Sequence, residues 1–210
     1  MKQREIWETE GKRWLERNPD TGQDPVIDFM KDHKLRPRAV LEIGCGDGRR
    51  LRRLKDIGLE IVWGMDPSIE RGHLDYKKGV PGMLAIHGCA DRLGNPPRTV
   101  DLIIYGFCLY QVDPEELASV MSESNRVLTD GGYIIIHDFY PDFPHSKKYA
   151  HDSRLKTYKM QWEKLWLGNP CYRLVDQTFM RHDPKEDDSP DNRVAITLLQ
   201  KDMEGAFPLC

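Results

Sequence analysis

The stretch VLEIGCGDGRR, Val40 to Arg50, limits what this chain can fold into more than any other. An apolar run, Ala39–Ile43, meets glycines at positions 44, 46 and 48, and an amphipathic segment follows at once. A strand that turns through glycine into a helix is half of a βαβ unit, and such units build parallel sheets. The helical segment, DGRRLRRLKDIG, carries Leu51, Leu54 and Ile57 on one side and stops at Gly58, a C-cap position. Its arginines are expected on the solvated side.

The alternation continues along the chain. β-Branched-rich runs predict further strands near Glu60–Met65, Met83–His87, Val100–Tyr105 and Tyr133–His137. Two later runs, Tyr172–Met180 and Arg193–Gln200, are joined by RHDPKEDDSPDN, too short and polar for a crossover helix, so they should be antiparallel neighbours. DPEELASVMSESNRVL reads as a helix opened by an Asp cap, and TDGG after it as a tight turn. EIWETEGKRWLER and DPVIDFMKDH read as two N-terminal helices. The expectation is a single α/β domain over residues 1–210, with 1–37 as a helical cap and 138–170 as a lid-like insertion.

What the glycine turn holds is decided by its neighbours. A dinucleotide loop requires a third glycine three residues after the second, and that position is Arg49. No Gly-Lys-Ser/Thr follows, so it is not a P-loop either. Glu42, at the strand's end, would repel a pyrophosphate but pair with an ammonium group. Asp66, at the end of the second strand in IVWGMDPS, suits the two hydroxyls of a ribose, one to each oxygen. A ligand with a ribose, an amine and no pyrophosphate fits S-adenosyl-L-methionine.

At these residues the sequence resembles the class I, Rossmann-like S-adenosylmethionine-dependent methyltransferases, from about Ala39 to Asp138 and more loosely over the final strand pair. LEIGCGDG resembles the family's first motif, GMDPS its second, and GCADRL its third, where the acid, here Asp91, binds the adenine amine. The resemblance implies a seven-stranded, mostly parallel sheet with an antiparallel last strand and helices on both faces. It also implies a cofactor site of Glu42, Gly44, Cys45, Gly46, Gly48, Asp66, Pro67, Ala90, Asp91 and Phe107. Trp7, Gly11, Trp14 and Arg17-Asn18 are similar to the opening of methylases associated with bacterial sugar biosynthesis, although packing tryptophans are the default reading.

His137, ending the fifth strand in IIIHDFYP, is the candidate base, with Asp138 beside it to charge or orient an acceptor. A histidine that merely caps the strand is the competing reading, and His145 and His151 are rival bases. Tyr158, Trp162 and Trp166 stand at helical spacing, as a stripe packed on the sheet or as rings over an acceptor. In the second case Tyr110, Tyr140, Tyr158 and Trp162 are the substrate-binding candidates, and Lys147, Lys148, Lys156, Lys159 and Lys164 favour an anionic acceptor. GNPPR, with NPPR at Asn95–Arg98, precedes the fourth strand and NPC at Asn169–Cys171 precedes the sixth, so a loop and an ordinary thiol are expected there.

Net charge, −3, gives no global pull toward nucleic acid or anionic lipid. No apolar run approaches the roughly 20 residues that span a bilayer. The five cysteines show no metal-ligand spacing, and MKQREIWETEGKRW lacks the apolar centre of a secretion signal, so a cytoplasmic protein with reduced thiols and no metal is expected. The reaction expected is methyl transfer to a small molecule, anionic or sugar- or natural-product-like. An RNA methyltransferase and a non-catalytic cofactor-binding subunit stay open, as does the oligomeric state.

Overall fold

The computed structural model describes residues 2–69, 80–185, 189 and 191–208. Helices α1 (Gln3–Arg17) and α2 (Pro25–Asp32) lead into β1 (Ala39–Ile43), α3 (Arg49–Asp56), β2 (Ile61–Asp66), β3 (Met83–His87) and β4 (Val100–Gly106). Then come α4 (Leu117–Val127), β5 (Leu128–Phe139), β6 (His145–Lys148), β7 (Lys156–Lys159) and α5 (Lys164–Leu167). The described chain ends with β8 (Tyr172–Arg181), β9 (Arg193–Lys201) and α6 (Met203–Ala206).

Seven strands form one sheet in the order β3-β2-β1-β4-β5-β9-β8. The first five are parallel, and β9 runs antiparallel between β5 and β8. The central strands are buried on both faces, and their apolar runs serve two cores in alternation. Leu41, Ile43, Ile103, Tyr105, Ile134 and Ile136 face the side covered by α4, Trp162 and Trp166. Val40, Leu102, Ile104 and Ile135 face the side where α2 packs Val26, Ile27, Phe29 and Met30 and α3 packs Leu51 and Leu54.

Helix ends follow side-chain chemistry. Asp24 caps α2, accepting from the Val26 amide at 3.1 Å. Gly58 follows α3 with φ +87°, the left-handed turn-off its sequence predicts. Asp113 does not cap the next helix. A 3-10 turn, Pro114–Glu116, intervenes before α4, and the Asp113 carboxylate accepts from the Gln3 amide at 3.3 Å instead. The TDGG segment is a bulge inside β5, because Val100 pairs with Leu128 but Leu102 with Tyr133.

The insertion departs from the helical reading. β6 and β7 form an antiparallel hairpin, with His145 opposite Lys159 and Lys148 opposite Lys156. Tyr158 therefore sits on a strand, Trp162 in a turn and Trp166 on α5, and no single helical face carries all three. Both tryptophans still pack on the sheet, Trp166 tilted against Tyr105 at 5.5 Å between ring centres. The hairpin's own core is shared with α1, where Leu155 is buried with Ile6 and Trp7. No helix among the described residues is long and apolar enough to cross a membrane.

Candidate active site

The carboxyl ends of β1, β2 and β4 open onto two adjoining cavities, the position where ligands bind in open parallel sheets. Between them lies the glycine loop, held by the Gly44 and Cys45 amides donating to the Met65 carbonyl at 2.8 and 3.2 Å. Gly44 has φ +77°, and a Cβ there would meet Cys108 Cβ at 2.5 Å, so no larger residue fits. Gly46, at φ +52°, faces Leu15 of α1. A cleft of about 920 Å³ lies on the β2 and β3 side, and one of about 1650 Å³ lies toward β5 and the hairpin, both open to solvent. They meet at Gly44, Gly46, Gly106 and Phe107 beneath Trp14 and Leu15.

Asp66, Pro67, Ala90 and Asp91 all line the smaller cavity. Asp66 is already engaged. Its Oδ2 accepts from the Gly46 amide at 2.9 Å, and its Oδ1 from the Ser68 amide at 2.8 Å and hydroxyl at 2.5 Å. A carboxylate has about four acceptor positions, so room remains for one ribose hydroxyl, and a second requires Ser68 to turn away. Asp91 Oδ2 binds Arg4 at 2.7 Å, while its Oδ1 is buried with no partner. Orphaned buried oxygens are rare and costly, and this one fits an amine donor.

Glu42 lies behind the loop, on the larger cavity. Arg50 donates to its Oε1 at 2.6 Å and to Asp24 at 2.8 Å, while Oε2 is buried without a partner. Burial pushes the Glu42 pKa up to about 7, against the pull of Arg50. The Arg50 side chain is only 14% exposed, which corrects the solvated-face expectation for this arginine. A side chain this long crosses from α3 under Gly106 because a buried acid at a strand end needs a cation. Arg53 likewise turns to Asp20 and Asp24, whereas Arg52 stays in solvent.

Cys45 lines the larger cavity but is buried, its thiol pushed up by desolvation. Gly48 lines neither cavity and opens α3 at φ +71°. His137 lines the larger cavity, its Nδ1 buried without a partner, and burial followed by Arg50 and His182 pushes its pKa down to about 3. Asp138 lines neither cavity. Its carboxylate accepts from the Phe139 amide at 2.8 Å and the Tyr110 amide at 3.3 Å, pinning the loop after β4, and burial raises its pKa to about 7.

Tyr110 lines the larger cavity. Tyr140, which donates to Glu163 at 3.0 Å, and the buried Trp162 line neither. Tyr158 stands at a separate cleft with Lys2 and Asp113. His145 is held by Asp191 at 2.8 Å, and His151 lines the larger cavity. GNPPR is a loop, and Cys171 is buried where β8 begins.

The sequence reading missed how α1 roofs the smaller cavity. Arg4 reaches Asp91, Trp7 and Trp14 line the wall, Leu15 meets Gly46, and a Cβ on Gly11 would meet Ser68 Cβ at 2.6 Å. The signal was present, since positions 4, 7, 11 and 14 share one helical face. The roof is tied to the hairpin by Arg17, which donates to Tyr149 at 3.1 Å, and by Gln3, which accepts from the Lys156 amide.

Residues 41–136 match a family described as a methyltransferase domain. An uncharacterised methyltransferase of Mycobacterium bovis is 33% identical over 96 residues, 45% of this chain and 37% of that protein, so the match spans little more than a third of the relative. The 1,6-didemethyltoxoflavin-N1-methyltransferase of Burkholderia thailandensis, solved with 1,6-didemethyltoxoflavin and S-adenosylhomocysteine, superposes with a TM-score of 0.73 at 17% identity. That superposition covers 94% of this chain and 85% of that one. A methyltransferase of Methanosarcina mazei gives 0.65 at 16% identity over 87% of this chain and 99% of its own. The stretch that matches the methyltransferase domain, residues 41–136, holds the glycine loop and the parallel strands from β1 into β5, and the chain shares the fold of these solved methyltransferases.

Proposed function

We propose that this protein is an S-adenosylmethionine-dependent methyltransferase that acts on a small-molecule acceptor held in the larger cavity. The observation that carries the reading is a pair of buried, unpartnered carboxylate oxygens, Asp91 Oδ1 and Glu42 Oε2, on either side of the glycine loop. They suit the two amine groups of the cofactor, the adenine amine at Asp91 and the ammonium at Glu42, with Asp66 for a ribose hydroxyl. The bound cofactor supplies a methyl group on a sulfonium, and its thioether leaves without an acid. The chain's own task is to align the acceptor and to take its proton. His137, which lines the larger cavity and whose buried Nδ1 has no partner, is the group we assign to that proton. A small acceptor is supported by the 1,6-didemethyltoxoflavin bound in the Burkholderia neighbour.

The test is titration calorimetry with S-adenosylhomocysteine, followed by turnover measurements on small-molecule and RNA pools. Gly46→Arg should abolish binding, since the new side chain fills the approach to the loop, and Asp91→Ala should weaken it by about 1–3 kcal/mol. His137→Ala should bind normally yet turn over about 10²–10⁴-fold more slowly, the loss shrinking as pH rises and the acceptor ionises unaided. Undiminished affinity in the first two variants would refute the cofactor site. Near-wild-type turnover in the third would remove His137 from the reaction.

A further inference from the structure

The larger cavity has a floor of rings. Phe107 meets His137 at 4.5 Å, His182 at 5.2 Å and Phe139 at 5.5 Å between ring centres, and Tyr110 meets Phe139 at 5.2 Å. All five side chains line the cavity. Their planes are inclined by 58–78° in these contacts, so the rings do not stack flat on one another. Such a surface offers edge and offset contacts to a flat guest. Phe107 holds φ +52°, a strained conformation for a bulky residue, at the point where the two cavities meet.

The facing wall is cationic. Lys147, Lys148 and Lys159 of the hairpin line the same cavity. Lys147, Lys159 and His145 all converge on one carboxylate, Asp191. Among the described residues Lys148 has no ion pair. Lys159 Nζ lies 3.7 Å from the centre of the Phe139 ring, and burial holds its pKa below the ordinary lysine value. An anion beside it would restore what desolvation takes away. Arg50, by contrast, is matched by two carboxylates, so the positive surplus sits at the hairpin and not at the floor.

Taking the methyltransferase reading as its basis, we infer that the acceptor is a planar aromatic or heteroaromatic anion. Its ring lies against Phe107, which the buried Tyr110 and Phe139 back, its carboxylate or phosphate faces the hairpin lysines, and its reacting N–H or O–H faces His137. Of the substrate-binding candidates in the sequence, Tyr110 is among these ring residues, whereas Tyr140, Tyr158 and Trp162 lie outside this cavity.

The experiment is calorimetry on protein saturated with S-adenosylhomocysteine, using three probes: kynurenate, its neutral parent 4-hydroxyquinoline, and the non-aromatic anion cyclohexanecarboxylate. Kynurenate should bind at least about tenfold more tightly than either, the scale of one charge-assisted contact or one ring contact. Lys148→Glu with Lys147→Glu should weaken kynurenate about tenfold or more while leaving S-adenosylhomocysteine affinity unchanged. Equal binding of 4-hydroxyquinoline, equal binding of cyclohexanecarboxylate, indifference of kynurenate to the lysine changes, or binding of none of the three would overturn the inference. Failure of S-adenosylhomocysteine itself to bind would instead sink the cofactor reading, and this one with it.

Discussion

Glu42 is a carboxyl group kept from water and answered by a cation on only one of its oxygens. With its pKa raised to about 7, it changes charge within the range where the protein is handled. Only the ionised form attracts an ammonium, so S-adenosylhomocysteine affinity should climb as pH rises through about 7 and fall away below it. The sign for folding is opposite. A carboxyl raised from 4.5 contributes stability that is complete below that value and lost as pH passes through about 7, so the free protein gives up stability as the site gains affinity. Calorimetry across this range, in wild type and in Glu42→Gln, checks the first statement. The wild type should show the slope and the variant a flat, weaker profile. A flat wild-type profile would mean that Glu42 does not meet the ligand's charge.

At the scale of elements, α1 acts through one point of contact without a side chain. Gly11→Val places atoms where Ser68 Cβ now stands, so α1 must lift from the loop after β2. The contacts of Leu15 with Gly46 and of Arg4 with Asp91 then loosen together. S-adenosylhomocysteine should bind about tenfold or more weakly, on the scale of about 1–3 kcal/mol that overpacking costs, with the sheet's far-ultraviolet signal retained. Calorimetry showing wild-type affinity in Gly11→Val would separate the helix from cofactor binding. The sheet was legible in the sequence because its strands are apolar on both faces and its helices keep a 3.6 period. Asp66 was legible as the acid that ends β2, and Asp91, beyond the end of β3, through the resemblance of GCADRL. The hairpin was not, since HSKK and KTYK carry no apolar alternation and owe their pairing to Leu155 buried against α1. Arg50 was hidden for the opposite reason: the period of RRLRRLK assigns it to solvent, and only the tertiary position of Glu42 draws it in.

Over the whole molecule, the sheet's two cores are extensive, whereas α1 and the hairpin share a small one, Ile6, Trp7 and Leu155. Local opening is favoured where buried apolar contact is least. Amides of α1, β6 and β7 should therefore exchange with deuterium faster than those of β1, β4 and β5, and should slow when S-adenosylhomocysteine and an acceptor are bound. Exchange there as slow as in the sheet, and unchanged by ligand, would show a fixed roof. The tie between these two pieces also orders events during synthesis. Arg17 must find a partner 132 residues later and Gln3 one 153 residues later. At the pace of a ribosome the first helix waits roughly 8–30 s for the strand that will hold it. Until then its apolar face has no permanent seat, and the nascent sheet has no lasting grip on a cofactor.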